Sequence, residues 1–563
     1  MHDIKSEKAI KSTPMMEQYL AIKSRHRDAV LFFRMGDFYE MFFDDAKIAS
    51  EVLGLTLTSR AHGKSADVPL AGFPHHSLDT YLGKMIKAGY RVAICEQLED
   101  PKTAKTIVKR DVTEIVSPGT VLADDLLDSK RNNFLVGLYF EKEICGIASI
   151  DISTGEFTVD EIPSSDFVEE VRKIRPAEIL LSEEQMAFVE SRLGKDETYF
   201  ITKQEEWIFS RDYGYETLIN HFGTLSLKGF GCDDLEAGIR AAGAVLHYLK
   251  EAQKSQLDHI GSIQRHAANR YMGLDSDTLR NLELLKSMRG GSNQSTLISI
   301  IDKTKTAMGG RRLVQWMLRP LLDPTQIRQR LDAVEELKDS ENVLEPLRQI
   351  LGQIGDLERF VAKIITNRGS ARDLTGLKTS LKLVPGLKTI LKGVETRKLC
   401  KIRNELDELE GLVNEIETAI VDDPPLSVTE GGLIKQGYDK ALDDLRDISY
   451  SGKDWIARLQ NDERKKTGIP SLKVSFNKVF GYYIEVTKPN LSKVPDYYVR
   501  KQTLVNAERF ITPDLKAYEE KILDGLQKLV AADPLLQARR DPQTGELIIS
   551  GTGQMHVKIT LEK

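Results

Sequence analysis

The sequence predicts a multidomain chain of mixed class: α/β domains first, then a mostly helical part with a small β-module inserted into it. Three observations carry that prediction. At 563 residues the chain is too long for a single hydrophobic core. Strand-period and helix-period segments alternate as far as about residue 255. From about residue 262 helical periodicity takes over, interrupted by two short runs of alternating apolar residues.

The first 120 residues mix helix and strand. TPMMEQYLAIKSRH is patterned as a helix opened by Thr13 as N-cap and Pro14 at the first helical position. AVLFFRMGDFYEMFF reads as an apolar strand, a Met-Gly-Asp turn and an aromatic cluster. SLDTYLGKMIKAG reads as a helix with Ser77 as cap and Gly89 as stop, and YRVAICEQ as a buried strand. The turn SPGT at 117–120 and the acidic ADDLLDSKRNN after it read as a linker. From Asn133, NFLVGLYFEKEICGIASIDISTGEFTVDEI predicts three antiparallel strands joined by Glu-Lys-Glu and Ser-Thr-Gly turns. The alternation that follows makes an α/β domain.

In CKIRNELDELEGLVNEIETAIV, steps of three and four from Ile402 through Leu406, Leu409, Val413 and Ile416 to Ile420 predict one helical stripe. GYDKALDDLRDISYSGKDWIARLQNDERKK predicts a helix polar nearly all round, the pattern of a domain bridge or lever. LKVSFN (472–477) and GYYIEV (481–486) predict two strands, and a helical stripe resumes through Leu515, Tyr518, Ile522, Leu526 and Leu529.

The composition is 41% hydrophobic and 29% charged, with no apolar run long enough for a membrane span. The N-terminus has lysines but no apolar stretch and is not a secretory signal. Cys95, Cys145, Cys232 and Cys400 lie far apart with no CxxC pair, so structural zinc is not expected and a reducing cytoplasm is. The net charge of −6 argues against nucleic acid only as a total, because phosphate contact depends on a local patch. From Arg464 to Lys501 nine Lys/Arg stand against Glu485 and Asp496, a net of +7. From Leu57 to Arg110 nine basic residues stand against five acidic ones, a net of +4.

GDFYEMF at 36–42 is the sharpest motif. An exposed aromatic beside a carboxylate at a turn can wedge between base pairs while the acid bonds an unstacked base. By composition alone, Phe38 and Tyr39 equally fill a core beside Phe32, Phe33, Phe42 and Phe43. His75-His76 has no partners at metal spacing and reads as a loop or cap. Asp151, read at an edge of the α/β domain, is one carboxylate where nuclease chemistry needs several around two metals. No phosphate loop is present: Gly63-Lys64-Ser65 has the right end, but Thr58 stands where the first glycine belongs, and Gly194-Lys195 and Gly452-Lys453 are each followed by Asp.

GDFYEMFFDDA, LTLTSR, PLAGFPHHSLDTYLGKMIKAGYRVAICEQLEDP and EIVSPGT, in that order, resemble the mismatch-reading domain of the MutS family of DNA mismatch repair proteins. STLISIIDKTKTAMGGRRLVQWMLRPL resembles the family's core segment. GIPSLKVSFNKVFGYYIEVTKPN followed by YVRKQTLVNAERFITPDLKAYEEKIL resembles its clamp and returning lever helix. The likeness spans roughly residues 12–523. It implies a mixed α/β mismatch-reading domain at 1–122, a connector similar to ribonuclease-H-like folds at 130–258 and core and lever helices at 262–398. Beyond these it implies a clamp with helical arms and a β-module at 399–507 and a returning lever helix at 508–530. Carried over by residue, Phe38 matches the stacking wedge, Glu40 the acid that bonds the mispaired base, and Arg60 a backbone-contacting arginine. Tyr39, between them, is a packing residue. In the clamp, Asn477, Lys478, Lys488, Arg500 and Lys501 are the phosphate candidates, able to position DNA but not to read sequence.

Members of the family continue into an ATPase domain that carries most of the dimer contacts. This chain ends DPLLQARRDPQTGELIISGTGQMHVKITLEK, and 531–563 resembles a fragment of elongation factor G, too short for a core of its own. The expectation is a truncated chain that binds double-stranded DNA with mismatches but has no catalysis of its own. ATP and Mg2+ belong to full-length members, a MutL-type repair partner is implied by the resemblance, and the family's homodimer loses most of its contacts. The expected location is cytoplasmic and, in a bacterium, nucleoid-associated, with no membrane. Competing readings are a MutS-like recombination or junction-binding protein, which the Phe-Tyr-Glu run argues against, and an inert truncated fusion product. A metal-dependent nuclease built on the α/β domain is the competitor from another class.

Overall fold

A computed structural model of the chain describes residues 13–60, 68–99, 107–194, 199–254, 257–266, 270–288, 295–425, 430–477, 481–518, 520, 537–540 and 547–550. It divides into two compact units, 1–416 and 417–563.

The first unit opens with a six-stranded sheet: β1 (Val30–Met35), β2 (Phe38–Phe42), β3 (Thr58–Arg60), β4 (Val68–Pro74), β5 (Val92–Gln97) and β6 (Arg110–Val116), in the order β3-β4-β2-β1-β5-β6. Only the β1–β5 pairing is parallel. Both faces are covered. Phe32, Tyr39, Met41 and Phe73 pack under the helices Phe43–Leu53 and Leu78–Lys87, while Leu31, Phe33 and Phe42 pack under Pro14–Arg25. The last helix starts as its residues require: the Thr13 hydroxyl accepts from the Met16 amide at 3.4 Å, and Pro14 follows. Ser77 occupies its N-cap position without a side-chain bond, because a 3-10 turn at His75–Ser77 precedes the helix. Gly89 ends that helix at φ +81°, a conformation that favours glycine.

The second sheet has β7 (Leu135–Glu141), β8 (Ile144–Asp151), β9 (Glu156–Pro163), β10 (Glu178–Ser182), β11 (Ile201–Gln204) and β12 (Gln264–Arg265), in the order β11-β10-β7-β8-β9-β12. The three strands expected from Asn133 are β7, β8 and β9, antiparallel neighbours. The apolar helix Ala237–Gln253 lies directly on them. A Cβ at Gly137 would come within 2.4 Å of Val245, so glycine is what lets helix and sheet approach. Asp151 is not at an edge, since β8 has a strand on either side. It is fully buried, and its carboxylate accepts bonds from Asn132 Nδ2, the Asn133 amide and both the amide and hydroxyl of Ser153, leaving it a structural role.

The two sheets meet at the segment that reads as a linker, and that reading is corrected. Ser117 and Thr120 are wholly buried. They close on Glu178, at the start of β10, whose carboxylate accepts from the Ser117 hydroxyl, the Gly119 amide (3.0 Å), Thr202 Oγ1 (2.6 Å) and Tyr248 Oη (2.7 Å). Residues 124–131 are strapped to the helical region in the same way. Arg311 donates two 2.7 Å bonds to Asp356, one of 2.6 Å to Glu358 and one of 2.8 Å to the Ser129 carbonyl. Arg359 reaches the Asp128 carbonyl at 2.8 Å, and Lys363 pairs with Asp124 at 2.7 Å. Polar composition marks a loop, but it does not show that Ser117, Thr120, Asp124 and the carbonyls of Asp128 and Ser129 have internal partners.

Past residue 270 the unit is helical. The expected stripe through 402–420 is broken: helices Arg397–Glu405 and Glu410–Ala419 are separated by a turn in which Leu409 has φ +47° and its amide bonds Asp407 Oδ1 at 3.1 Å. An aspartate that captures a nearby amide competes with helix propagation, and periodicity does not register it.

The second unit is built on the helix Lys440–Thr467 and a four-stranded antiparallel sheet, β13 (Lys473–Asn477), β14 (Gly481–Thr487), β15 (Val499–Thr503) and β16 (Ala507–Ile511), in the order β13-β14-β16-β15. The sequence announces only β13 and β14. The charged β15 and β16 lack the apolar alternation that signals a strand, so the expected boundary at 507/508 cuts through β16. Leu459, Leu472, Ile484, Val486 and Phe510 form the core. Trp455 stacks on Tyr518 at 4.3 Å, binding residues 513–518 to the long helix. Ile522, Leu526 and Leu529 lie outside the described residues, as does most of 531–563 apart from the hairpin β17 (Gln537–Arg540) and β18 (Leu547–Ser550).

Removing the Glu178 carboxylate orphans four donors, and each buried donor left unsatisfied costs about 1–3 kcal/mol. Glu178→Ala is expected to lower the urea midpoint of the first unit strongly, read by tryptophan fluorescence, and Glu178→Gln, which keeps one acceptor oxygen, to lower it less.

Candidate nucleic-acid interface

β1 and β2 are joined by Gly36-Asp37 alone, with Met35 paired to Phe38. Glycine in the first loop position, here at φ +57°, makes so tight a connection possible. The turn is held from outside: the Asp37 carbonyl accepts from the His75 amide at 2.8 Å and lies 3.1 Å from His75 Nδ1. Along β2, alternation puts Phe38, Glu40 and Phe42 on one face and Tyr39 and Met41 on the other. Phe42 lies under Tyr19, ring centroids 4.9 Å apart. The cover stops short of the hairpin end, and Phe38 is 47% exposed while Tyr39 is 2% exposed. Glu40 is half-buried beside Gly72 of β4, where an added Cβ would stand 3.4 Å from Glu40 Cγ and 2.9 Å from the Tyr39 carbonyl.

Tyr39 anchors the floor. Its hydroxyl donates to Glu96, and Arg34 lies 5.6 Å from its ring centroid. Burial first, and then the Glu96 charge, push the phenol well above its ordinary pKa, so it is a fixed donor. Arg34 in turn pairs with Glu96 at 3.7 Å, and its carbonyl accepts from Arg110 Nε at 2.7 Å. The exposed ring of Phe38 and the carboxylate of Glu40 are thus presented by a strand clamped on both sides. Arg60 closes β3, paired with Val68, and its side chain lies outside the described residues.

In the second unit, Lys488, Lys493 and Lys501 are exposed and none has an ion-pair partner among the described residues. Lys488 begins a 3-10 segment whose first amide bonds the Asn506 carbonyl at 3.1 Å. Arg500 is exposed, 3.6 Å from Glu508. The β15–β16 register shifts between Arg500 and Gln502, so Lys501 is the extra residue of a bulge on an edge strand. Bulges of this kind re-aim side chains at sheet edges. Arg509, by contrast, is engaged with Glu485 at 3.1 Å and stacked over Tyr483. Asn477 ends β13 with its side chain outside the described residues, and Lys478 lies wholly outside them. Phe476, on β13, is 60% exposed, in edge contact with Tyr482 at 5.1 Å.

The module is held to its helix by Glu463, 1% exposed, which accepts from Tyr497 Oη (2.8 Å), Tyr498 Oη (2.7 Å) and Lys466 Nζ (2.8 Å). Burial alone would raise its pKa, but these bonds outweigh burial and hold the carboxyl below its ordinary value. Sequence reasoning missed Glu463, Gly72 and His75 as supports, because each acts through partners distant along the chain. Among the described residues, no group of three or more His, Cys, Asp or Glu is placed to hold a metal ion, and no helix is long and apolar enough to cross a membrane.

Three family models match the chain: MutS domain I over residues 13–125, MutS domain II over 133–261 and MutS domain III over 277–540. Among curated relatives, the DNA mismatch repair protein MutS of Salinibacter ruber is 47% identical over 92% of this chain and 57% of its own length. Proteins of the same name are 46% identical in Halothermothrix orenii, over 92% of this chain and 58% of that one, and in Bacteroides fragilis, over 93% and 60%. The chain thus spans about three-fifths of the length of the relatives it matches.

A carboxyl with a depressed folded pKa stabilises above its unfolded pKa, and the stabilisation is lost as pH falls through the folded value. Thermal unfolding of the second unit, followed through Trp455, is therefore expected to become less stable on acidification below the ordinary glutamate range. Glu463→Gln should flatten that dependence, and an unchanged pH profile would deny Glu463 this role.

Proposed function

The chain belongs to the MutS family, and from that membership we propose that it binds mismatched or looped duplex DNA, with Phe38 as a wedge at the mispair and Glu40 as the acceptor for its displaced base. The observation that carries this reading is the exposed ring of Phe38 on a two-residue hairpin whose next aromatic, Tyr39, is locked in the core. Opening a base step costs on the order of a few kcal/mol, and less where pairing is already faulty. A rigidly presented ring therefore enters weakened stacks preferentially. Glu40, two residues on and on the same face, is in position to accept a hydrogen bond from an unstacked base.

Lys488, Arg500 and Lys501 supply phosphate contacts on the second unit, joined by Asn477, Lys478 and Arg60 by resemblance. Such contacts hold the duplex without reading it. The connector reading of residues 130–258 as ribonuclease-H-like is supported by the strand order, in which the three antiparallel strands are followed on one side by β10 and β11. Full-length members couple capture to ATP and Mg2+, a homodimer and a MutL-type partner, in the cytoplasm. The residues present do not fit a nucleoside triphosphate, since none of the Gly-Lys pairs completes a phosphate loop. The activity proposed for the residues present is DNA binding.

Affinity for a duplex with one G·T mispair is expected to exceed that for the matched duplex, and Phe38→Ala to abolish the difference while leaving residual binding. Equal affinities in the unaltered chain, measured by fluorescence anisotropy, would reject the wedge. Each phosphate contact contributes about 0.9 to the slope of log K against log salt. Lys488→Ala with Lys501→Ala is thus expected to reduce that slope by about 2 on matched and mismatched DNA alike.

A further inference from the structure

Where the second sheet meets the segment entering the helical region, the first unit has a partly open cavity of about 110 Å³. That is several times the room one water needs. Ser149, Thr158 and Asp160 line it from β8 and β9, and His266 and Arg319 face them across it. Most of these polar groups are already satisfied. The Ser149 and Thr158 hydroxyls bond each other at 2.7 Å. Arg319 donates to His266 Nδ1 and to Glu170, each at 2.9 Å, and Glu170 also pairs with Lys173 at 3.5 Å. With Nδ1 accepting, His266 carries its proton on Nε2, and burial together with Arg319 holds the ring neutral, its pKa pushed down to about 3.

Asp160 is the exception. It is 9% exposed, and Oδ1 accepts from the Glu161 amide at 2.9 Å. Among the described residues no Lys or Arg forms an ion pair with it, and its second oxygen has no hydrogen-bond donor. Arg265 and Arg319 are near enough to favour its charge without pairing with it, yet burial, which penalises a carboxylate, outweighs them and raises its pKa to about 6. The chemistry of a fitting ligand follows from what is left over. One free oxygen rules out the paired bonds of a guanidinium, which needs both. Calcium or magnesium needs about six or more oxygen ligands, Glu170 is already committed to two cations, and no group of three or more His, Cys, Asp or Glu among the described residues is placed to hold any metal ion. An ammonium needs one carboxylate oxygen, with hydroxyls for its remaining donors. Ile147, Ile162 and Leu318 provide apolar wall for a short alkyl chain.

We propose that this cavity is a binding site for a compact primary ammonium compound, its nitrogen on the free oxygen of Asp160 and its alkyl body against Ile147 and Leu318. The site is independent of the DNA-binding reading. The test titrates the full chain with n-butylammonium and with n-butanol by calorimetry at pH 7.5, without DNA, using the unaltered protein, Asp160→Asn and Leu318→Trp. Saturable binding of butylammonium is expected, at least tenfold weaker in Asp160→Asn and lost in Leu318→Trp, which fills the cavity while keeping the carboxylate. Butanol is expected to bind weakly and equally to the unaltered protein and Asp160→Asn. Lowering the pH to 5 should weaken butylammonium binding as Asp160 gains a proton. The other charged groups around it are Arg265, Glu170, Lys173 and Arg319, and His266 stays neutral over that range. Absence of saturable binding, equal amine affinity in Asp160→Asn, or butanol binding as tightly as the amine each overturns the proposal. A thermal midpoint for each variant near that of the unaltered protein ensures that loss of binding is not loss of fold.

Discussion

Glu178 is the constraint from which the first unit takes its form. A carboxylate with no access to water must be met by donors on every side, and here they come from three places: the turn at 117–120 that ends the first sheet, β11, and the helix Ala237–Gln253. No two of these can move apart without stripping the buried charge. The same helix anchors the turn a second time, through Gln253 Nε2 on the Thr120 carbonyl at 3.1 Å. The first sheet, with the Phe38 hairpin among its central strands, is therefore fixed to the second sheet and does not hang from it.

Arg311 repeats the arrangement with the sign reversed. It is 3% exposed, and its two terminal nitrogens are engaged by Asp356, Glu358 and the Ser129 carbonyl. Buried ions of this kind contribute little net stability compared with apolar packing of equal volume, but removing one partner is severe. Their effect is specificity of arrangement. Hydrophobic contact between two domains tolerates sliding, whereas a five-donor fork on two carboxylates does not. For a protein proposed to discriminate between duplexes by the position of one aromatic ring, that rigidity is the relevant property.

The proposed wedge and the proposed phosphate grip are built on opposite principles. Phe38 is held by a strand whose neighbours are all committed, so its ring is presented rather than searching. Lys488 and Lys501 are long, exposed side chains with no ion-pair partner among the described residues, suited to a polyanion whose position is set elsewhere. Glu463 has for the second unit the role that Glu178 has for the first, a buried acid whose donors, Tyr497 and Tyr498, secure a β-module to its helix.

Local chemistry alone determined the helix opened by Thr13 and Pro14, the hairpin with Gly36, the strands β7 to β9, the long polar helix and the two basic zones. Each is written in neighbouring residues: a cap, a turn glycine, an alternation, a charge count. The motif at 36–42 was visible too, but composition left open whether Phe38 faced solvent or core, since a strand's two faces are equivalent until something packs on one of them. Only the tertiary structure decided that Phe38 is exposed and Tyr39 buried, that the stretch after residue 116 is a joint, that charged segments at 499–511 are strands, and that the stripe through Leu409 is broken. In each case the deciding partner lies far away in the chain, and burial of a polar group is settled by where its hydrogen bonds go, which no window of sequence contains.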